Sequence, residues 1–168
     1  MKNLMSWLLM PVFALSISNG AVAEGKVKAP EVFSQLKSLV GVWQKEGAEN
    51  SDFTISFELT ANDTTLIETW NYKGKKHSLT LYHLNGKSLM ATHYCPQGNQ
   101  PRLNLSEDTT LDSIAFSYLD ATNLASLDDS HQHSLGFELD SSSKKIRRKE
   151  SYLSESGVET SELILMRK

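Results

Sequence analysis

From residue 52 onward, apolar and polar side chains alternate along the chain. Phe53, Ile55, Phe57 and Leu59 are interleaved with Asp52, Thr54, Ser56, Glu58 and Thr60, the period-two pattern of a strand with one face on a core and the other in water. The pattern recurs at short intervals and predicts strands at about 42–47, 52–59, 64–72, 77–84, 87–95, 102–106, 113–119, 131–139, 144–153 and 158–167. Asn62-Asp63, Lys73-Gly74 and Asn85-Gly86 fall between them, and the last is the strongest hairpin signal because both residues tolerate positive φ. As a two-residue turn it pairs Leu84 with Lys87. Tyr82, Leu89, Ala91, His93 and Cys95 then share one face, opposite His77, Leu79, Leu81, Met90, Thr92 and Tyr94.

Ahead of the strands, Val32, Phe33, Leu36, Leu39 and Val40 recur at helical spacing, with Pro30 at the start and Gly41 past the end, the boundary signals of one short helix. No connection between strands is long enough for a second crossover helix, which argues against a parallel sheet. Ten antiparallel strands in sequence either close into a barrel or split into two packed sheets, and closure removes exposed edges. The expected fold is all-β: a single antiparallel up-and-down β-barrel of about 8 to 10 strands with one short N-terminal helix. Gly41-Val42-Trp43 opens the first strand, where the indole can plug one end of the barrel and the glycine lets the chain turn beneath it. This opening resembles that of lipocalins and related calycin barrels.

The start of the chain has the form of a secretory signal. Lys2 is followed by a mostly apolar stretch from Leu4 to Ile17 and by Ala21-Val22-Ala23, the small-x-small pattern that signal peptidase cuts. The expected organisation is a signal peptide over 1–23 and one barrel domain over 24–168. Ser6, Pro11 and Ser16 interrupt an apolar run already shorter than the roughly 20 residues of a membrane span, so no transmembrane segment is expected after cleavage. A periplasmic or secreted location follows. Without residues 1–23 the chain carries 16 basic and 20 acidic residues, a net charge of −4, which argues against nucleic acid as a partner. Cys95 is the lone thiol and has no intrachain partner for a disulfide.

Candidate chemistry concentrates in residues 92–102, Thr-His-Tyr-Cys-Pro-Gln-Gly-Asn-Gln-Pro-Arg. So dense a set of hydrogen-bonding side chains lines either a polar site or a rigid, satisfied turn. His93 and Cys95 share a strand face. Asn99 and Gln100 suit either a ligand or the backbone of the loop itself. Arg102 offers a fork for a carboxylate or phosphate, or pairs with Glu107 or Asp108 on the surface. In the expected strand at 131–139, His131 and His133 face the same side about 7 Å apart, close enough to share a metal ion if His93 or Cys95 adds a third ligand. Glu68 is an acid in an apolar strand. It is either solvated or, if Leu66, Trp70 and Tyr72 face inward, buried against Arg102 or kept as an acid/base group. The run Lys144-Lys145-Ile146-Arg147-Arg148-Lys149 reads as a solvated strand that protects an edge. No nucleophile-elbow, zinc-protease, phosphate-loop or paired-cysteine motif occurs.

Tyr82-His83-Leu84-Asn85-Gly86, Leu89 and the 92–102 string resemble a family of small exported bacterial proteins of uncharacterised function. The likeness extends through Phe33, Leu36, Gly41, Trp43, Glu68, Asn123, His131 and His133. It implies a calycin-like barrel and points to Glu68, His93, Cys95, Asn99, Gln100, Arg102, His131 and His133 as positions of interest, without bringing an activity; with Tyr82 these are the ligand-binding candidates. Relatives tend to carry a tryptophan in the penultimate strand, whereas this chain has none after Trp70. Nitrobindin-like haem barrels share the general shape but not a signature found here, so the cofactor stays unknown.

Three functions remain open. The first is a barrel that binds a small molecule, with His93, Asn99, Gln100 and Arg102 forming the polar end. The second is a metal-binding protein or metal-dependent enzyme using His93, His131 and His133. The third is an envelope interaction protein with no ligand. A separation of more than about 12 Å between 92–102 and 131–133 would remove the second, and a solid, side-chain-filled interior would remove the first.

Overall fold

The computed structural model describes residues 26–140 and 144–168; the expected signal peptide lies outside the described residues. Helix α1 (Ala29–Lys37) leads into ten strands: β1 (Gly41–Lys45), β2 (Phe53–Thr60), β3 (Thr65–Tyr72), β4 (Lys75–Asn85), β5 (Ser88–Tyr94), β6 (Gln100–Leu105), β7 (Ser113–Thr122), β8 (His131–Leu139), β9 (Lys145–Ser154) and β10 (Gly157–Arg167). Each strand pairs antiparallel with its neighbour in sequence, and β1 pairs with β10 to close the sheet. The result is the expected calycin-like up-and-down barrel.

One end is closed by α1 and the start of β1. Pro30 sits in the first turn of the helix, and Val32, Phe33, Leu36 and the following Leu39 are buried, the spacing that brings side chains onto one helical stripe. Trp43 is fully buried, and its indole N–H donates to the Leu39 carbonyl at 2.7 Å. Across the barrel seam, Arg167 lies 4.5 Å over the Trp43 ring and donates to the carbonyls of Val40 (2.7 Å) and Ser38 (2.9 Å). Gly41 has φ +135°, and a Cβ there would sit 2.7 Å from Arg167 Nη1. The glycine is needed for both backbone conformation and space.

Above this plug, the alternation read from the sequence fills the middle of the barrel. Ile55, Phe57, Leu66, Leu103, Ile114, Phe116, Leu135 and Phe137 are buried. Phe57 meets Phe137 at 6.1 Å between ring centroids, and Tyr82 meets Phe116 at 5.7 Å and Phe137 at 6.1 Å. Burial of each such large apolar side chain stabilises the fold by about 1.5–3 kcal/mol.

Two local expectations are corrected. In the β4–β5 hairpin, Asn85 pairs with Ser88 and Leu84 with Leu89, so the turn is centred on Gly86-Lys87, with Gly86 at φ +60°. Leu84 therefore faces Leu89, not Lys87. A shift of two positions preserves parity, which keeps Tyr82, Ala91, His93 and Cys95 on the expected face. Strand β6 starts at Gln100 and includes Pro101. The β5–β6 ladder ends at Thr92–Arg102, so the N–H that Pro101 lacks has no strand to serve on that side.

Candidate functional site

Toward the other end, the inward positions of β3, β4, β5, β8 and β9 turn polar. Tyr82 marks the change: its ring packs on the aromatic layer and its hydroxyl donates to Glu68 Oε2. Glu68 is fully buried and takes two further donors on Oε1, the Trp70 indole N–H and Arg148 Nε, each at 2.7 Å. Arg148 is 1 % exposed. It lies 4.7 Å over the Trp70 ring, and its Nη1 is 3.0 Å from Glu150 Oε2. Gln132 Nε2 donates to that same oxygen at 2.8 Å, and Ser161 Oγ to Oε1 at 3.3 Å. One guanidinium thus lies between two carboxylates, each of which accepts three hydrogen bonds.

These partners fix the charges. Burial pushes the Glu150 carboxyl up, but Arg148 beside it and the bonds from Arg148 and Gln132 win, holding it below the usual carboxylate range. Burial opposes the charge on Arg148, yet Glu68 and Glu150 raise its pKa above the usual value. Burial raises the Tyr82 phenol well above 10, reinforced by Glu68.

His93 completes this layer from β5. Its Nδ1 hydrogen-bonds Thr80 Oγ1 at 2.9 Å and its Nε2 meets the Tyr152 hydroxyl at 3.3 Å. Burial, and next the positive charge of Arg148, lower its pKa to about 4; the ring is neutral at pH 7. Burial raises the pKa of Tyr152 and of Cys95, the neighbour of His93 on the same strand face.

The two stretches singled out in the sequence meet at this end. Cys95 N–H donates to the Asn99 carbonyl and Gly98 N–H to the Cys95 carbonyl, a tight turn with Gly98 at φ +92°. From that turn Asn99 Nδ2 donates to the Ser130 carbonyl at 2.9 Å, and Gln97 Nε2 to Ser130 Oγ at 3.0 Å. His131 follows directly, 1 % exposed, its Nδ1 donating to the Asp129 carbonyl at 2.7 Å. Tyr118 packs on both histidines, 4.6 Å from His131 and 5.7 Å from His133. A bulge between Gln132 and Ser134 interrupts the alternation of β8, and His131 and His133 end with ring centroids 5.9 Å apart.

Several residues stand elsewhere than expected. Arg102 does not reach Glu68, Glu107 or Asp108; it forms a two-pronged, half-exposed pair with Asp120 of β7, its neighbour in register. Gln100 also stays out of the buried cluster, its amide donating to the Gly98 carbonyl and its oxygen accepting from Thr122. Glu68 is buried and finds Arg148. The basic run of β9 therefore has two faces: Lys145, Arg147 and Lys149 pair outside with Glu46, Glu138 and Glu162, while Arg148 points in. It protects no edge, because β9 lies between β8 and β10.

The expected metal set is not assembled. Both ring nitrogens of His93 already have partners, and among the described residues no group of three His, Cys, Asp or Glu could hold a metal ion. Sequence reasoning missed Arg148, Glu150, Gln132, Tyr152 and Thr80. The parity of Ile146, Arg148, Glu150 and Tyr152 places them on one face, and an apolar member of that set was the available signal.

Among the described residues, five buried side-chain atoms have no protein partner: Asn99 Oδ1, His131 Nε2, Gln132 Oε1, His133 Nδ1 and Arg148 Nη2. All belong to this end. An open groove of about 1040 Å³, reached by exposed Ser117, Leu119 and Thr160, is lined by Tyr118, Glu150 and Ser161 but by none of the five residues that carry these atoms. No protein-family model matches the chain, and no curated protein matches it at a significant level. Fold and site define a closed barrel, apolar through its middle and polar at one end. No helix of the described residues is long and apolar enough to cross a membrane.

Proposed function

We propose that the protein is a periplasmic or secreted barrel that binds a small molecule at its polar end, and that it belongs with the small exported calycin-like proteins its 92–102 motif resembles. One observation carries the reading: among the described residues, five buried polar atoms, on Arg148, Gln132, His131, His133 and Asn99, have no protein partner. A buried polar atom without a hydrogen bond costs about 1–3 kcal/mol, and a ligand that meets several of them recovers that cost on binding. Glu68, Tyr82 and His93 form the floor of the site, holding Arg148 and Tyr152 in place. Aromatic and aliphatic side chains pack through the middle of the barrel, which weighs against a ligand there and leaves the polar end as its place.

The test is native mass spectrometry with metal analysis of the mature protein purified under non-denaturing conditions from its own envelope. The expected result is a small-molecule adduct that is lost when Arg148 is replaced. A mass equal to that of the polypeptide alone would refute ligand binding, and a stoichiometric metal in place of an organic adduct would replace it with the metal reading.

A further inference from the structure

A buried arginine at a binding site ordinarily suggests an anionic ligand. Here the count of charges and of hydrogen-bonding roles runs the other way. Arg148 lies between two carboxylates, Glu68 and Glu150, so this buried group carries one net negative charge. His93, Tyr82, Tyr152 and Cys95, the titratable groups packed around it, are uncharged at pH 7.

The orientation of the partnerless groups is settled by the bonds they already make. Glu150 Oε2 can only accept from Gln132, so the amide nitrogen must face Glu150 and Oε1 must face away. The Ser130 carbonyl likewise requires the Asn99 nitrogen, leaving Oδ1 as the bare atom. The Asp129 carbonyl requires the hydrogen on His131 Nδ1, which leaves a lone pair on Nε2 in the neutral ring. Three bare atoms are thus acceptors, and only one, Arg148 Nη2, is fixed as a donor. A carboxylate brings acceptors alone and, of these four atoms, could satisfy only Arg148 Nη2.

We infer that the molecule bound at the polar end is a small organic ammonium, its N–H groups donating to acceptors among Gln132 Oε1, Asn99 Oδ1 and His131 Nε2 and its charge balanced by the excess carboxylate. This deepens the small-ligand reading and rests on it. A primary ammonium supplies three donors and one positive charge, which matches what the site lacks.

Three probes of one carbon skeleton test the inference: n-butylammonium, butyramide and butyrate, titrated into the full mature chain by calorimetry at pH 7. The expected order is butylammonium tightest and butyrate weakest, with at least tenfold between these two. Glu150→Gln removes one negative charge with little change of shape and is expected to narrow that ratio at least tenfold. If this variant fails to fold by circular dichroism, the order on the unaltered protein decides alone. Butyrate or butyramide binding as tightly as butylammonium overturns the inference. So does an anionic or neutral adduct in the native mass spectrum, an outcome that leaves small-ligand binding standing. A bare native mass with no binding of any probe removes both readings.

Discussion

Replacement of Arg148 by methionine tests the buried cluster most directly. The side chain is 1 % exposed and is the cation between two buried carboxylates. Methionine keeps much of the volume and the packing on Trp70 but leaves Glu68 and Glu150 without it. Removing one partner of a buried pair costs about 3–5 kcal/mol. One cation here serves two acids and also covers an indole, so the upper part of that range, about 4–5 kcal/mol, is expected. For a domain of this size the loss lowers Tm by about 10–15 °C. Urea denaturation followed by tryptophan fluorescence measures it, because Trp70 touches both Glu68 and Arg148.

Two controls separate charge from packing. In the triple variant Arg148→Met, Glu68→Gln, Glu150→Gln the carboxylates become neutral amides of the same shape, and most of the lost stability should return. Acid should also narrow the gap between the single variant and the wild type. Without Arg148, burial, the largest influence on Glu150, is opposed mainly by the bond from Gln132, and the folded pKa rises. The destabilisation is then full at pH 7 and shrinks as pH falls and the group takes up a proton. A single variant less than about 1 kcal/mol below wild type, or a gap that stays constant between pH 7 and pH 5, would refute this account of the cluster.

Other outcomes follow from the same geometry. His93 has a folded pKa of about 4 against 6.5; the unfolded chain therefore binds a proton that the folded one does not, and stability should fall by up to about 3 kcal/mol as pH drops from 6.5 to 4. His93→Gln should flatten the window between pH 6.5 and 4.5 in a pH series of urea melts, and an unchanged slope there would count against a neutral His93. Arg102→Ala breaks only a half-exposed pair with Asp120 and should change stability by less than about 1 kcal/mol; a loss matching that of Arg148→Met would mean that Arg102, not Arg148, braces the interior. Gly41→Ala places a Cβ 2.7 Å from Arg167 Nη1 at φ +135° and should cost about 2–3 kcal/mol, read as a drop in Tm by calorimetry, with a neutral result excluding the described packing of Arg167 over Trp43.

The barrel was legible because its strands obey a strict period of two and its turns carry Asn, Asp and Gly; the predicted and observed boundaries differ by about two or three residues at most. The site was legible only in part. His93, Cys95, Asn99 and His131 were marked by residue type, and the structure brings them to one end. Arg148 was hidden because it stands between Arg147 and Lys149, both solvent-facing, and a run of cations reads as a solvated strand unless the parity of Ile146 is extended through it. Glu68 carried a complementary signal, an acid among Leu66, Trp70 and the aromatic layer, but a pairing between β3 and β9, 80 residues apart, is set by barrel closure and not by local pattern. Arg102 failed for the opposite reason. A bulge between Arg102 and Leu103 sets its partner as Asp120, and bulges leave little trace in a single sequence.

The two ends of the barrel are both built around an arginine on an aromatic ring, and they differ in how fully their polar groups are bonded. At the closed end Arg167 covers Trp43, and its Nη groups and the indole N–H all end on the carbonyls of Leu39, Val40 and Ser38. At the polar end Arg148 covers Trp70, yet its Nη2 has no partner, and neither do buried atoms of Gln132, His131, His133 and Asn99. A cluster that only braced the wall would be stabilised by satisfying every group, since a half-satisfied buried network is worse than an apolar filling. Leucine and phenylalanine fill the middle of the same barrel without difficulty. The incomplete network is therefore a cost that packing does not require, which favours a ligand-binding end over a purely structural one and locates the expected contacts at Arg148, Gln132, His131 and Asn99.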